Sequence, residues 1–211
     1  MIKRLLVLSA LALSTVAFAH ADPISGFFNA NGTDNFNSSS ITFDSAVVAG
    51  GIGGTFATYL ADGDTITFLP GALPYHNGFN TPPNPPFTTG TAPLFSVTGN
   101  GETFTFNLTD YTAQYITDGS NGCSSGSTCL VATGDGFFTG TGAFTGTSGA
   151  AVFNFTSQYV PGEAINSVTT FSASASAVAP PTVPEPASLA LFGTGILGFV
   201  GLVRRKLVSN V

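Results

Sequence analysis

Residues 102–109 read Glu-Thr-Phe-Thr-Phe-Asn-Leu-Thr. In an extended chain, side chains alternate between two faces, so Phe104, Phe106 and Leu108 share one side while Thr103, Thr105, Asn107 and Thr109 share the other. The same period of two returns in Ala151-Val152-Phe153-Asn154-Phe155-Thr156. Turn signals separate such runs, among them Asp62-Gly63, Asn100-Gly101, Asp118-Gly119 and Asp135-Gly136. The pattern predicts strands over 24–30, 40–43, 54–60, 64–69, 94–98, 102–109, 112–117, 128–133, 136–146, 150–159 and 167–178. No window of convincing helical period competes with them. Many short strands with Gly, Asn and Asp between them point to an all-β domain, an antiparallel β-sandwich of jelly-roll type.

Charge narrows the ways such a domain can hold together. The five basic residues are Lys3, Arg4, Arg204, Arg205 and Lys206, all near the termini. Residues 22–183 contain no Lys or Arg but ten carboxylates, so ion pairs with lysine or arginine are unavailable inside the body. Stability must then come from apolar burial, to which the body's seventeen Phe contribute, from backbone ladders and from any covalent staple. A body without cations cannot neutralise phosphates, which excludes nucleic acid and electrostatic docking on anionic lipid.

The two ends read as address labels. Lys3 and Arg4 precede an apolar run, and Ala19-His20-Ala21 forms an A-x-A site, so residues 1–21 read as a secretory signal cut before Asp22. A cut after Ala17-Phe18-Ala19 is the variant, and a retained anchor the alternative. Residues 187–203 are uncharged and largely apolar and run straight into Arg204-Arg205-Lys206. As a helix they reach about 26 Å, slightly short of a typical hydrocarbon core, and the basic stop stays cytoplasmic. The expected division is a signal over 1–21, a β-sandwich domain over 22–178, a Pro-rich linker over 179–186, a transmembrane helix over 187–203 outside the domain, and a basic tail over 204–211.

Val183-Pro184-Glu185-Pro186 stands directly before that span. Pro-Glu-Pro motif, apolar helix and basic terminus, in this order, resemble the PEP-CTERM sorting signal, over about the last 29 residues. The resemblance implies delivery to an exosortase-like membrane peptidase in Gram-negative bacteria that make extracellular polysaccharide. It also implies anchoring in the inner membrane by the helix before processing near Pro184–Pro186, then a cell-surface or extracellular destination. The two prolines hold the segment extended, where a protease can reach it. An ordinary single-span anchor with an incidental Pro-Glu-Pro is the alternative.

Within the body, residues 70–93 hold seven prolines together with Tyr75, His76, Phe79 and Phe87, too long for a plain hairpin connection and a candidate ligand loop. Cys123 and Cys129, with five residues between them, are expected to form a disulfide in an oxidising compartment. His76 is the one histidine of the body, and no Gly-x-Ser-x-Gly elbow accompanies it, so no catalytic residues are expected. Asp62 and Asp64 are the closest carboxylate pair, a candidate Ca²⁺ site in a chain otherwise expected to need no cofactor, although a turn uses the same spacing. Thr139-Gly140-Thr141 is echoed by Thr145-Gly146-Thr147, two copies being too few for an ice-binding array. The expected role is a non-enzymatic structural protein associated with extracellular polysaccharide. The alternative is a lectin-like module whose loop aromatics stack on sugars, with or without Ca²⁺.

Overall fold

The computed structural model describes residues 23–69, 71–80, 92–117, 123–141, 146–159 and 167–181. The cleavage residues Ala19 and Ala21, the loop residue Phe87, the motif Val183, Pro184, Glu185 and Pro186, the expected span 187–203 and its stop at Arg204, Arg205 and Lys206 lie outside the described residues. The chain divides into a unit ending at Pro180 and a second beginning at Pro181.

All strands described belong to the first unit. They are β1 (Gly26–Phe36), β2 (Ser40–Val48), β3 (Gly53–Gly54), β4 (Thr65–Phe68), β5 (Leu73–Pro74), β6 (Gly78–Asn80), β7 (Ala92–Gly99), β8 (Glu102–Ile116), β9 (Thr128–Thr141), β10 (Ala151–Tyr159) and β11 (Thr169–Ala177). One helical turn, α1 (Phe56–Tyr59), follows β3. Residues 54–60, expected as a strand, therefore supply this turn instead, because Phe56 is drawn into the core and the chain curls to deliver it.

Hydrogen bonding passes from β1 to β11, β10, β9, β8, β7, β4 and β2, and β2 pairs back onto β1. Every one of these pairings is antiparallel. Eight strands thus close one barrel, with β3, β5 and β6 added alongside β1, β2 and β8. This corrects the expected two-sheet sandwich. The physical reason lies in the long strands: β8 and β9 run without a break through what would have been a sandwich corner, and a bulge in β8 between Leu108 and Asp110 bends the pair there.

The bulge in β8 also explains a boundary that the sequence draws differently. Phe104, Phe106 and Leu108 point inward on even numbers, whereas Tyr111 and Ala113 do so on odd numbers, because the register against β9 shifts between Leu108 and Asp110. A pattern search sees two strands where one bent strand changes parity. At the other end of β8, Asn100 and Gly101 both adopt positive φ, closing the tight β7–β8 hairpin that the Asn-Gly pair predicts.

An eight-stranded barrel is just wide enough for side chains to fill it. Here phenylalanine does so: Phe28, Phe56, Phe95, Phe104, Phe106 and Phe138 are completely buried, with Phe28–Phe56, Phe56–Phe104 and Phe56–Phe138 in edge contacts of 5.0–5.1 Å. Many outward positions are polar. Thr67, Ser96, Thr105, Thr139 and Thr147 stand side by side across the strands, so threonines of the two Thr-Gly-Thr copies share one row. Apolar inside and hydroxyl outside is the reverse of a lipid-facing barrel. Among the described residues no helix is long and apolar enough to cross a membrane.

Candidate functional site

The barrel interior leaves room for very little. Its cavity of about 30 Å³ is apolar and lies where Ala113, Ala132 and Gly134 contribute small volumes beneath Tyr75 and Tyr111. Small-molecule sites need roughly 300–1,000 Å³, so this cavity is too small to take one.

Of the four candidate loop residues, the structure brings Tyr75, His76 and Phe79 around one open depression, floored by Asn80 and Tyr111. Their roles diverge. Tyr75 is buried in the core, its hydroxyl donating to the Asn37 carbonyl and its N–H to Ser39 O at 2.8 Å. Tyr111 likewise donates its hydroxyl to the Pro74 carbonyl. Burial pushes the phenol of Tyr111 up to about 12 and that of Tyr75 higher still, with Tyr115, Tyr159 and Asp34 nearby adding to the latter. Both tyrosines fasten the loop to the barrel, which takes Tyr75 out of reach of a stacking sugar. Phe79, by contrast, is 60% exposed.

Asparagines shape the rest of the loop. Asn80 Oδ1 accepts from His76 N–H at 2.8 Å while its Nδ2 donates to the carbonyls of His76 and Gly78, folding 76–80 into a tight turn. Asn77 Oδ1 accepts from Tyr115 N–H at 2.7 Å, pinning that turn to β8. The His76 ring lies exposed with Nδ1 3.2 Å from Asn77 O.

A group that pattern reading missed lies at this end of the barrel. Asp34 is 0% exposed; Ser157 Oγ donates to its Oδ1 at 2.8 Å, and Oδ2 has no hydrogen-bond partner. Burial raises its pKa to about 7, against the lowering effect of the Ser157 bond. Beside it, the Tyr159 hydroxyl donates to Phe36 O at 2.6 Å and accepts from Phe36 N–H at 3.1 Å, satisfying both backbone groups of one residue. A signal existed: Phe28, Ala30, Asp34 and Phe36 are all even-numbered, so extending the strand beyond Ala30 would have placed Asp34 inside.

The remaining candidates lie in a turn and in a covalent link. Asp64 Oδ2 accepts from Ala61 N–H at 2.8 Å, so this carboxylate caps the turn in which Asp62 and Gly63 sit. Among the described residues no three His, Cys, Asp or Glu side chains gather as a metal site would need. Cys123 and Cys129 form a disulfide, with Cα atoms 5.8 Å apart, packed against Ile116 and Val131. Asp110, on the β8 bulge, faces Asp135 directly across the strands, a pairing invisible in sequence because 25 positions separate the two.

The comparisons with known proteins speak to the tail. Residues 182–206 match the model of the PEP-CTERM protein-sorting motif. The motif implies export, processing by an exosortase, which is a membrane protein, and transient anchoring before a cell-surface or extracellular destination. No curated protein and no solved structure matches the chain.

Proposed function

We propose that this PEP-CTERM-sorted chain is a non-enzymatic structural protein of the cell exterior, whose barrel is carried out by its terminal labels and associates there with extracellular polysaccharide. The match over residues 182–206 carries the reading. The body supports it in two ways. Its interior is occupied by its own phenylalanines, and its outward faces offer hydroxyls and amides without a single lysine or arginine. Such a surface neither attracts polyanions nor drives aggregation through apolar patches.

The labels act in sequence: the segment 1–21 directs export, the span 187–203 holds the chain in the inner membrane, and cleavage near Pro184–Pro186 frees the barrel. Deleting 182–211 and fractionating the cells tests this. The truncated protein should leave the site where the full chain is found, and an unchanged distribution would reject sorting by the tail. Mass spectrometry of the exterior form should show an end close to Pro186; recovery with Arg204-Arg205-Lys206 intact would reject cleavage.

A lectin-like reading draws on Phe79, whose exposed ring beside His76 offers a stacking surface to a sugar. Glycan-array binding of the exported protein that is lost in Phe79→Ala would favour it. Loss on adding EDTA would bring in Ca²⁺, with Asp62 and Asp64 as first ligands to replace.

A further inference from the structure

The outer face of the sheet formed by β10, β11 and β1 carries a second and better-built surface. β11 turns Phe171, Ala173, Ala175 and Ala177 inward, so its outward row is Ser172, Ser174 and Ser176. Across the register, Ser174 stands between Asn154 of β10 and Asn29 of β1, and Ser172 between Thr156 and Asn31. Serine is shorter than asparagine. The central strand therefore forms the floor of a trough whose walls are carboxamides, about 400 Å³ in volume and bounded on the β1 side by Ala49.

No charged side chain lines this trough. Thr133 Oγ1 donates to Asn154 Oδ1 at 2.9 Å, which commits that oxygen and leaves the amide NH₂ as the group available to a ligand. One rung along, about 7 Å away by strand geometry, Phe27 pairs with Ser176 and points outward from the barrel. It is 52% exposed. A Cβ added at Gly53 would fall 2.5 Å from the Phe27 ring, so the glycine of β3 lets the ring lie against backbone and keeps its other side open to solvent.

We propose that this trough binds a neutral polysaccharide, with the C–H face of one sugar resting on Phe27 and the hydroxyls of its neighbour bonded by Asn29, Asn154 and the floor serines. Uncharged amides and hydroxyls supply both donors and acceptors, the complement of sugar hydroxyls, and nothing there rewards an anion. An aromatic ring beside polar groups supplies the apolar half of the contact. The inference rests on the polysaccharide-associated role proposed above, and moves the contact from the loop around Phe79 to the sheet face.

Affinity electrophoresis of the exported protein tests it, in native gels cast with dextran, galactomannan or the polyanion alginate. Retardation is expected in a neutral polymer and not in alginate. Phe27→Ala and Ser174→Glu, both on the outward face, should each weaken it about tenfold while melting like the parent, and Phe79→Ala should leave it intact. Retardation lost in Phe79→Ala but kept in both trough variants would overturn the trough while leaving polysaccharide association standing. Retardation by alginate alone, or by none of the three polymers, would overturn the proposal itself.

Discussion

The two ends of the barrel solve the same problem with opposite chemistry. At one, α1 pushes Phe56 among Phe28, Phe104 and Phe138, and the cap is built on aromatic rings. At the other, Tyr75, Tyr111 and Tyr159 send their hydroxyls to the carbonyls of Asn37, Pro74 and Phe36, and Asp34 is buried among them. The dry end gains from area and ring geometry; the wet end gains from hydrogen bonds that fix where loops attach. A barrel needs one end closed tightly and can use the other to hold long connections.

The contrast predicts different responses to substitution, the largest at the dry end. Phe56→Ala removes a completely buried ring contacted from three sides, and should lower unfolding free energy by about 3–5 kcal/mol in urea titration. A loss below 1 kcal/mol would mean that the aromatic cap is not what closes this end.

At the wet end, stability should depend on pH through Asp34. Its folded pKa of about 7 lies above the usual carboxylate value, so the folded state keeps a proton that the unfolded chain releases. The corresponding stability is fully present below about pH 4, is lost as pH rises towards 7 and stays lost above it, about 4 kcal/mol in all. Asp34→Asn should abolish that slope between pH 4 and 7 in thermal melts. A slope that persists in Asp34→Asn would place its origin elsewhere.

Smaller effects sharpen the comparison further. Replacing Cys123 and Cys129 together by Ser opens a short loop beside Ile116, at the same end, and should cost about 2 kcal/mol in urea titration. Tyr75→Phe deletes one hydroxyl and leaves the Asn37 carbonyl without it, costing about 1 kcal/mol. Hydrogen exchange should then rise around Asn37 and Ser39 and stay unchanged at Phe28. Equal exchange changes at both sites would show that the two ends are not independent.

How much of this was legible beforehand depended on range. Alternation in 102–109 and 151–156 exposed inward Phe and outward Thr because period two is a local property of an extended chain. Asn100-Gly101 announced its hairpin for the same reason: positive φ at two successive residues is a demand on residue type. The prolines of 70–93 point to a loop, whereas the residues described there include β5, β6 and the start of β7; proline content also carries no direction, so Tyr75 reads as a ligand residue when it is an anchor. Of the wider candidate site, the trough of Asn29, Ser174 and Asn154 was unreadable, since β1 lies far in sequence from the β10 and β11 strands it joins.

By itself the sequence determined that this protein is built of strands, that its body can use no lysine or arginine, that its cysteines are close enough to join, and that its tail bears a sorting motif. Each follows from residue type and short spacing. Only the tertiary structure decided that the strands close into a ring, that a bulge switches the parity of β8, and that Asp34 meets Ser157 across 123 positions. Closure is a pairing between strands far apart in sequence, and local periodicity contains no information about which strand will be the neighbour.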